Sequence, residues 1–222
     1  MKKTTLLLSA ITLATGLLST QAQAVEGLTA NAAIGSNYIF RGVSQTDDSA
    51  AISGGIDYVN GGFYTGAWLS NVELVESEST TELDLYVGYK FNYDAFNFDL
   101  GLINYSYADS EGVYKNLENS EIYASVNWEW LTVGFNTLAD SDTRGVDFGD
   151  AVYLYTDAVF EISEGLELGL HVGNQDFDGN GYDYNDWGIS LSKKGFTLAI
   201  TDTDNNNDDM NFTISYSMDF DL

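Results

Sequence analysis

The residues of this chain that could do chemistry are almost all carboxylates. Asp and Glu number 34 against 8 Lys and Arg, with one histidine, His171, and no cysteine. That inventory closes most catalytic routes. Without Cys there is no thiolate nucleophile, thiolate zinc site or disulfide framework. With one His there is no multi-histidine metal centre. A Ser–His hydrolase would depend on His171, which has no serine adjacent in sequence. The chain is therefore read as a non-enzyme. A formal net charge of −26 also disfavours nucleic acid, whose binding rests on Lys and Arg neutralising phosphates.

One acidic segment has the spacing of an ion site. Asp176-Phe177-Asp178-Gly179-Asn180-Gly181 follows the opening of an EF-hand loop, with oxygen donors at Asp176, Asp178 and Asn180. The place of the bidentate Glu is taken by Trp187, and Asp-Gly-Asn-Gly is also ordinary turn chemistry. Calcium is thus the one cofactor the sequence suggests; otherwise none is expected. The acidic run from Asp202 to Asp209 reads as a solvated loop tip. Its charge would allow divalent ions to bridge it to lipopolysaccharide.

The other carboxylates belong to a pattern with period two, the signature of strands with one apolar and one polar face. Leu83, Leu85, Val87, Tyr89 and Phe91 share a face, opposite Glu82, Asp84, Tyr86, Gly88 and Lys90. Met210, Phe212, Ile214, Tyr216, Met218, Phe220 and Leu222 do the same in the last segment, as do Ile122, Ala124, Val126, Trp128 and Trp130 in 120–130. Such segments lie near 27–41, 50–59, 63–70, 81–91, 96–107, 120–130, 131–138, 151–161, 166–174, 184–191, 196–202 and 210–221. The absence of Pro agrees, since Pro cannot donate to a sheet ladder. Connections alternate strictly between long and short. The short ones include Asn60-Gly61-Gly62, the Trp130–Leu131 junction and the turn carrying Lys193 and Lys194.

This layout predicts an all-β fold, an antiparallel up-and-down transmembrane β-barrel of about 12 strands, with 10 or 14 as alternatives. A soluble sandwich or lipocalin-like barrel would point the same apolar faces inward. Aromatic residues near strand ends favour the membrane form, where they make an interfacial girdle. Residues 1–24 read as a cleaved bacterial export signal: Lys2 and Lys3, a short apolar stretch from Leu6 to Leu18, then Ala22-Gln23-Ala24. The barrel would occupy 25–222, and the location would be the bacterial outer membrane.

Parity assigns Asp57, Glu82, Asp84, Asp99, Glu121, Glu129, Asp157, Glu161, Glu167, Asp186 and Asp219 to the inner face. Arg41 and Lys90 are the only bases there, and His171 also points inward. Rings of carboxylates favour cations. Arg41, placed near the end of the first strand, is read as a brace in an acidic wall. The alternatives are an anchor for an inward-folded loop and a contact for an anionic solute.

Ser36-Asn37-Tyr38-Ile39-Phe40-Arg41-Gly42-Val43-Ser44-Gln45-Thr46 resembles the N-terminal signature of the TorF family, a proteobacterial outer-membrane porin family. Gly62-Phe63-Tyr64-Thr65-Gly66-Ala67-Trp68-Leu69-Ser70-Asn71-Val72 is similar to its next block, and Leu83-Asp84-Leu85-Tyr86-Val87-Gly88-Tyr89 to the one after. The chain ends in Leu222 rather than Phe or Trp, a small departure. The resemblance implies an outer-membrane barrel and a pore, and supplies no catalytic residue. The expected function is a porin-like channel for passive diffusion of small polar solutes, preferring cations. The alternative is a closed barrel that acts as a structural or surface-interaction protein through its acidic external loops. Membrane lipid, lipopolysaccharide and small polar or cationic solutes are the expected partners, and no oligomer interface is legible.

Overall fold

Strands with one apolar and one polar face need a partner on both edges, and a closed sheet supplies it without leaving an edge. The computed structural model describes residues 26–74, 79–108, 118–143, 146–178, 183–205 and 209–222. The expected export signal, 1–24, lies outside the described residues. The strands in chain order are β1 (Leu28–Gly35), β2 (Ile39–Phe40), β3 (Val43–Ser44), β4 (Ala51–Asn60), β5 (Phe63–Leu74), β6 (Ser79–Tyr93), β7 (Phe96–Ala108), β8 (Glu118–Trp128), β9 (Leu131–Ser141), β10 (Ala151–Ser163), β11 (Leu166–Phe177), β12 (Tyr184–Lys193), β13 (Phe196–Thr203) and β14 (Asn211–Asp221).

All but β2 and β3 form one closed antiparallel barrel of 12 strands. Each strand pairs with its neighbour in the chain. Closure comes from β1 on β14, with Thr29 opposite Asp221 and Gly35 opposite Ser215. The up-and-down barrel read from the alternation is the observed fold.

The distribution of polarity is the reverse of a soluble protein's. Ile52 is 65% exposed and Phe212 71%, while Glu82, Asp84, Asp99 and Asp186 are all buried on the inner face. An outward apolar band of this extent belongs against lipid. This rules out the soluble sandwich, which would bury those side chains.

Tight turns close one end of the barrel at 61–62, 94–95, 129–130, 164–165 and 194–195. Lys194 and Gly195 both have positive φ, 52° and 83°, the type I′ geometry that matches strand twist.

Two expectations need correction. Strand 120–130 was expected to carry Trp128 and Trp130 on one face, with Glu129 inward. Trp128 instead pairs with Leu131, so Glu129 and Trp130 form the turn. Cross-strand partners share a face, and this pairing keeps both apolar side chains outward. Glu129 takes φ 54° and is exposed outside the lumen. The first strand was expected to run over 27–41. It ends at Gly35, and the chain then turns into the barrel.

Candidate functional site: the barrel lumen

Residues 36–50 form a hairpin inside the barrel, with β2 and β3 as its arms. Asn37 organises its base. Its Oδ1 accepts from Ser44 Oγ at 2.8 Å, and its amide donates to Asp48 at 2.9 Å and Asn211 at 3.1 Å. The Tyr38 N–H donates to Oγ1 of Thr46, which is completely buried. Gln45 N–H donates back to the Tyr38 carbonyl, and Glu73 N–H donates to Gln45, which ties the hairpin to β5. Aromatic packing seats the arm: Tyr38 meets Trp68 edge-on at 5.4 Å, and Phe40 meets Tyr105 at 5.9 Å.

Arg41 and Gly42 make the tip, both with positive φ. Arg41 Nη2 lies 2.7 Å from Glu121 Oε2 on β8, and Nη1 donates to Gln175 on β11 at 2.9 Å. Its guanidinium also sits 4.5 Å from the centre of the Tyr153 ring on β10. A Cβ on Gly42 would fall 2.7 Å from Asp186 Cβ on β12 and 2.6 Å from Thr203 Cγ2 on β13, so only glycine fits. The tip thus reaches the wall from β8 round to β13. Glu121 Oε2 takes two further donors, Tyr105 Oη at 3.2 Å and Asn136 Nδ2 at 3.0 Å. A buried carboxylate supplied this way is a strong anchor.

Around the hairpin the wall is built from tyrosines lying over glycines on neighbouring strands. Tyr64 covers Gly88, Tyr86 covers Gly66, Tyr123 covers Gly101, Tyr155 covers Gly134 and Tyr153 covers Gly173. A ring lying flat needs a neighbour without a side chain, and its hydroxyl then reaches a carboxylate. Tyr64 donates to Asp99 at 2.6 Å, Tyr86 to Asp57, and Tyr107 to Glu82 at 3.1 Å. Asp57 also accepts from Asn31 Nδ2 at 3.3 Å.

The carboxylates assigned inward by parity therefore divide. Glu121 joins Arg41. Glu82 and Asp84 lie on β6 between β5 and β7, with Trp68 and Tyr105 paired to Asp84. Asp84 Oδ1 is buried with no hydrogen-bond partner among the described residues. Asp99 stands 3.7 Å from Lys90 Nζ, and Lys90 lies over the Tyr64 ring at 4.7 Å. Asp157 and Asp186 flank His171 at 2.6 and 2.8 Å. Glu161 and Glu167 face each other across β10 and β11 at the exposed rim, where Glu161 accepts from Gly165 N–H at 3.0 Å. Asp219 is paired with Asn31 where the barrel closes.

The calcium candidate is only partly visible. Asp176 is the last residue but one of β11 and Asp178 follows the strand, both exposed, while Asn180 lies outside the described residues. Asp178 N–H donates to the Asp150 carbonyl. Among the described residues no group of three or more His, Asp and Glu side chains is arranged to hold a metal ion.

Sequence reasoning passed over Gln175, Tyr153 and the tyrosine wall. A signal for the wall was present: Tyr and Gly recur on the inward parity beside the carboxylates, as Tyr86 and Gly88 do after Asp84.

No curated protein sequence matches the chain. Among solved structures, the KdgM porin aligns with a TM-score of 0.57 at 9% identity, over 87% of this chain and 99% of that one. A protein solved in a study of the in-meso crystallization of membrane proteins aligns with a TM-score of 0.55 at 10% identity, over 88% of this chain and 84% of that one. At such identities the likeness is one of fold: this chain has a porin-like barrel. The match at family level does not carry the TorF name suggested by the N-terminal motif. Residues 19–221 match the family described as bacterial protein of unknown function (Gcw_chp), and the chain belongs to that family.

Proposed function

We propose that this barrel is an outer-membrane porin-like channel for passive diffusion of small polar solutes, with a preference for cations. The observation that carries the reading is the charge balance of the inner wall. Arg41 and Lys90 are its permanent bases, and Glu121 and Asp99 already pair with them. Asp57 and Asp157, which are only half-buried, remain in excess, and a lumen lined by carboxylates favours cations. The apolar outer band would contact membrane lipid. The TorF-like motif supports the same reading and supplies its architecture, since Asn37, Arg41, Gly42, Ser44 and Thr46 build the hairpin. That hairpin would be the constriction that sets the size limit. A barrel of eight strands is filled by side chains and one of sixteen leaves a channel, so at this intermediate width a hairpin decides how much space remains.

The test is conductance of the folded protein in a planar bilayer under a salt gradient. Discrete steps with a cation-selective reversal potential are expected. Steps with anion selectivity would overturn the preference and keep the channel. The second reading, a closed structural barrel, is favoured by one observation: the hairpin tip reaches the wall from β8 to β13. Absence of steps from protein proven folded by a heat-sensitive gel shift would select it.

A further inference from the structure

We infer that His171 is a proton-operated positioning residue that holds Asp157 out of the conduction path, so that losing its proton makes the channel more cation-selective. The geometry is a histidine clamped between two carboxylates. Nδ1 lies 2.6 Å from Asp157 Oδ1, and Nε2 lies 2.8 Å from Asp186 Oδ1. A neutral imidazole has one N–H and one lone pair, whereas the imidazolium has two N–H donors. A lone pair facing a carboxylate oxygen at either distance would be repelled. With both carboxylates ionised, both contacts are satisfied together only by the imidazolium.

Among the described residues the titratable and charged groups facing His171 are few. Tyr153, Tyr155 and Asp157 come from β10 and Asp186 from β12, while Arg41 approaches from the hairpin over the Tyr153 ring. Arg41 opposes the imidazolium, but its charge is already taken by Glu121.

When the ring proton leaves to lumen water, one carboxylate must let go. Asp186 is 1% exposed at its side chain and Asp157 is 27% exposed. A buried carboxylate without its donor is far more costly than one that can turn to water. The remaining N–H therefore stays on Nε2, which faces both Asp186 Oδ1 and, at 2.9 Å, the Tyr153 oxygen, so that the Tyr153 hydroxyl can give its own proton to the second Asp186 oxygen. Asp157 is the group released. The cluster of two carboxylates and one imidazolium then gains one unit of negative charge, with a mobile carboxylate in the lumen. This consequence rests on the channel reading; the protonation chemistry does not.

The chain has one histidine, so histidine-specific 15N labelling gives a single imidazole in the folded, detergent-bound protein. At pH 7 both ring nitrogens are expected to be protonated. At higher pH the neutral form should carry its proton on Nε2. In Asp157→Asn the pH 7 spectrum should shift to the neutral Nε2–H form. A neutral ring at pH 7 in the wild type, a neutral form protonated on Nδ1, or an unchanged spectrum in Asp157→Asn would each overturn the inference. The reversal potential under a salt gradient should move toward the cation limit across the same transition, and Asp157→Asn should lose that shift. An imidazolium in a barrel without conductance would defeat the channel reading alone, and a conducting barrel with a neutral ring would defeat this inference alone.

Discussion

Arg41 and Glu121 lie 80 positions apart in the sequence and 2.7 Å apart in the lumen. This contact holds the tip of the first-loop hairpin against the wall of β8. Without it the hairpin would rest on the Arg41–Gln175 hydrogen bond, on aromatic packing and on the hydrogen bonds at its base.

Replacing Arg41 by Met should therefore free the tip and leave Glu121 buried without its cation. Breaking a buried pair on one side costs about 3–5 kcal/mol. The gel-shift temperature should fall, and single-channel conductance should rise as the constriction loosens. Glu121→Gln keeps an acceptor for Arg41 and should lose less stability. If the Arg41 variant neither melts earlier nor conducts more, the ion pair is not what restrains the hairpin.

The base of the hairpin makes a separate prediction. Asn37→Ala removes the acceptor of Ser44 and the donor to Asp48 and Asn211. Each such bond contributes roughly 1 kcal/mol. Amide exchange at Gln45 and Glu73, whose N–H groups tie the hairpin together and to β5, should accelerate while the β10–β12 ladder is unchanged. Uniform acceleration through the barrel would mean that the hairpin is not a separate unit.

The tyrosine wall can be tested at Gly134. A Cβ there would fall well inside contact distance of Tyr155, and the three nearest atoms all belong to that side chain. Gly134→Ala should cost about 1–3 kcal/mol by overpacking. In a double-mutant cycle, Tyr155→Ala should relieve much of that cost. Equal destabilisation by Gly134→Ala with and without the ring would place the strain elsewhere.

One pH effect lies outside the membrane span. The side-chain amide and backbone N–H of Asn185 hold the Asp204 carboxyl below its ordinary value. A depressed carboxyl contributes stability above its unfolded value and loses it as pH falls through the folded one. Acidification below the usual aspartate range should thus open this link, read as faster exchange of the Asn185 amide relative to β12 core amides. Asp204→Ala should show fast exchange at every pH. Persistent protection in that variant would remove the carboxylate as the cause.

The wall was largely legible in the sequence, and the hairpin was not. Period-two alternation places Glu82, Asp84, Asp99 and Glu121 inward because strand side chains point to opposite faces at every step. The rule fails at Glu129, where the chain leaves the ladder. It fails as well at Arg41, because Tyr38-Ile39-Phe40 looks like one more strand end. Nothing local distinguishes a strand that continues along the barrel from one that bends inside it.

Composition and alternation by themselves determined an antiparallel closed barrel with polar residues inside, one looped end and one tight end. Those properties follow from local periodicity and need no knowledge of distant neighbours. Only the tertiary structure decided that residues 36–50 enter the lumen, that Arg41 finds Glu121 and Gln175, and that His171 stands between Asp157 and Asp186. The Arg41 contacts join residues far apart in the chain, while Asp157 and Asp186 meet His171 across the adjacent β10–β11 and β11–β12 ladders; in both cases the partners are set by strand register and by the glycines that let the tyrosine rings and the Gly42 backbone lie close to the wall.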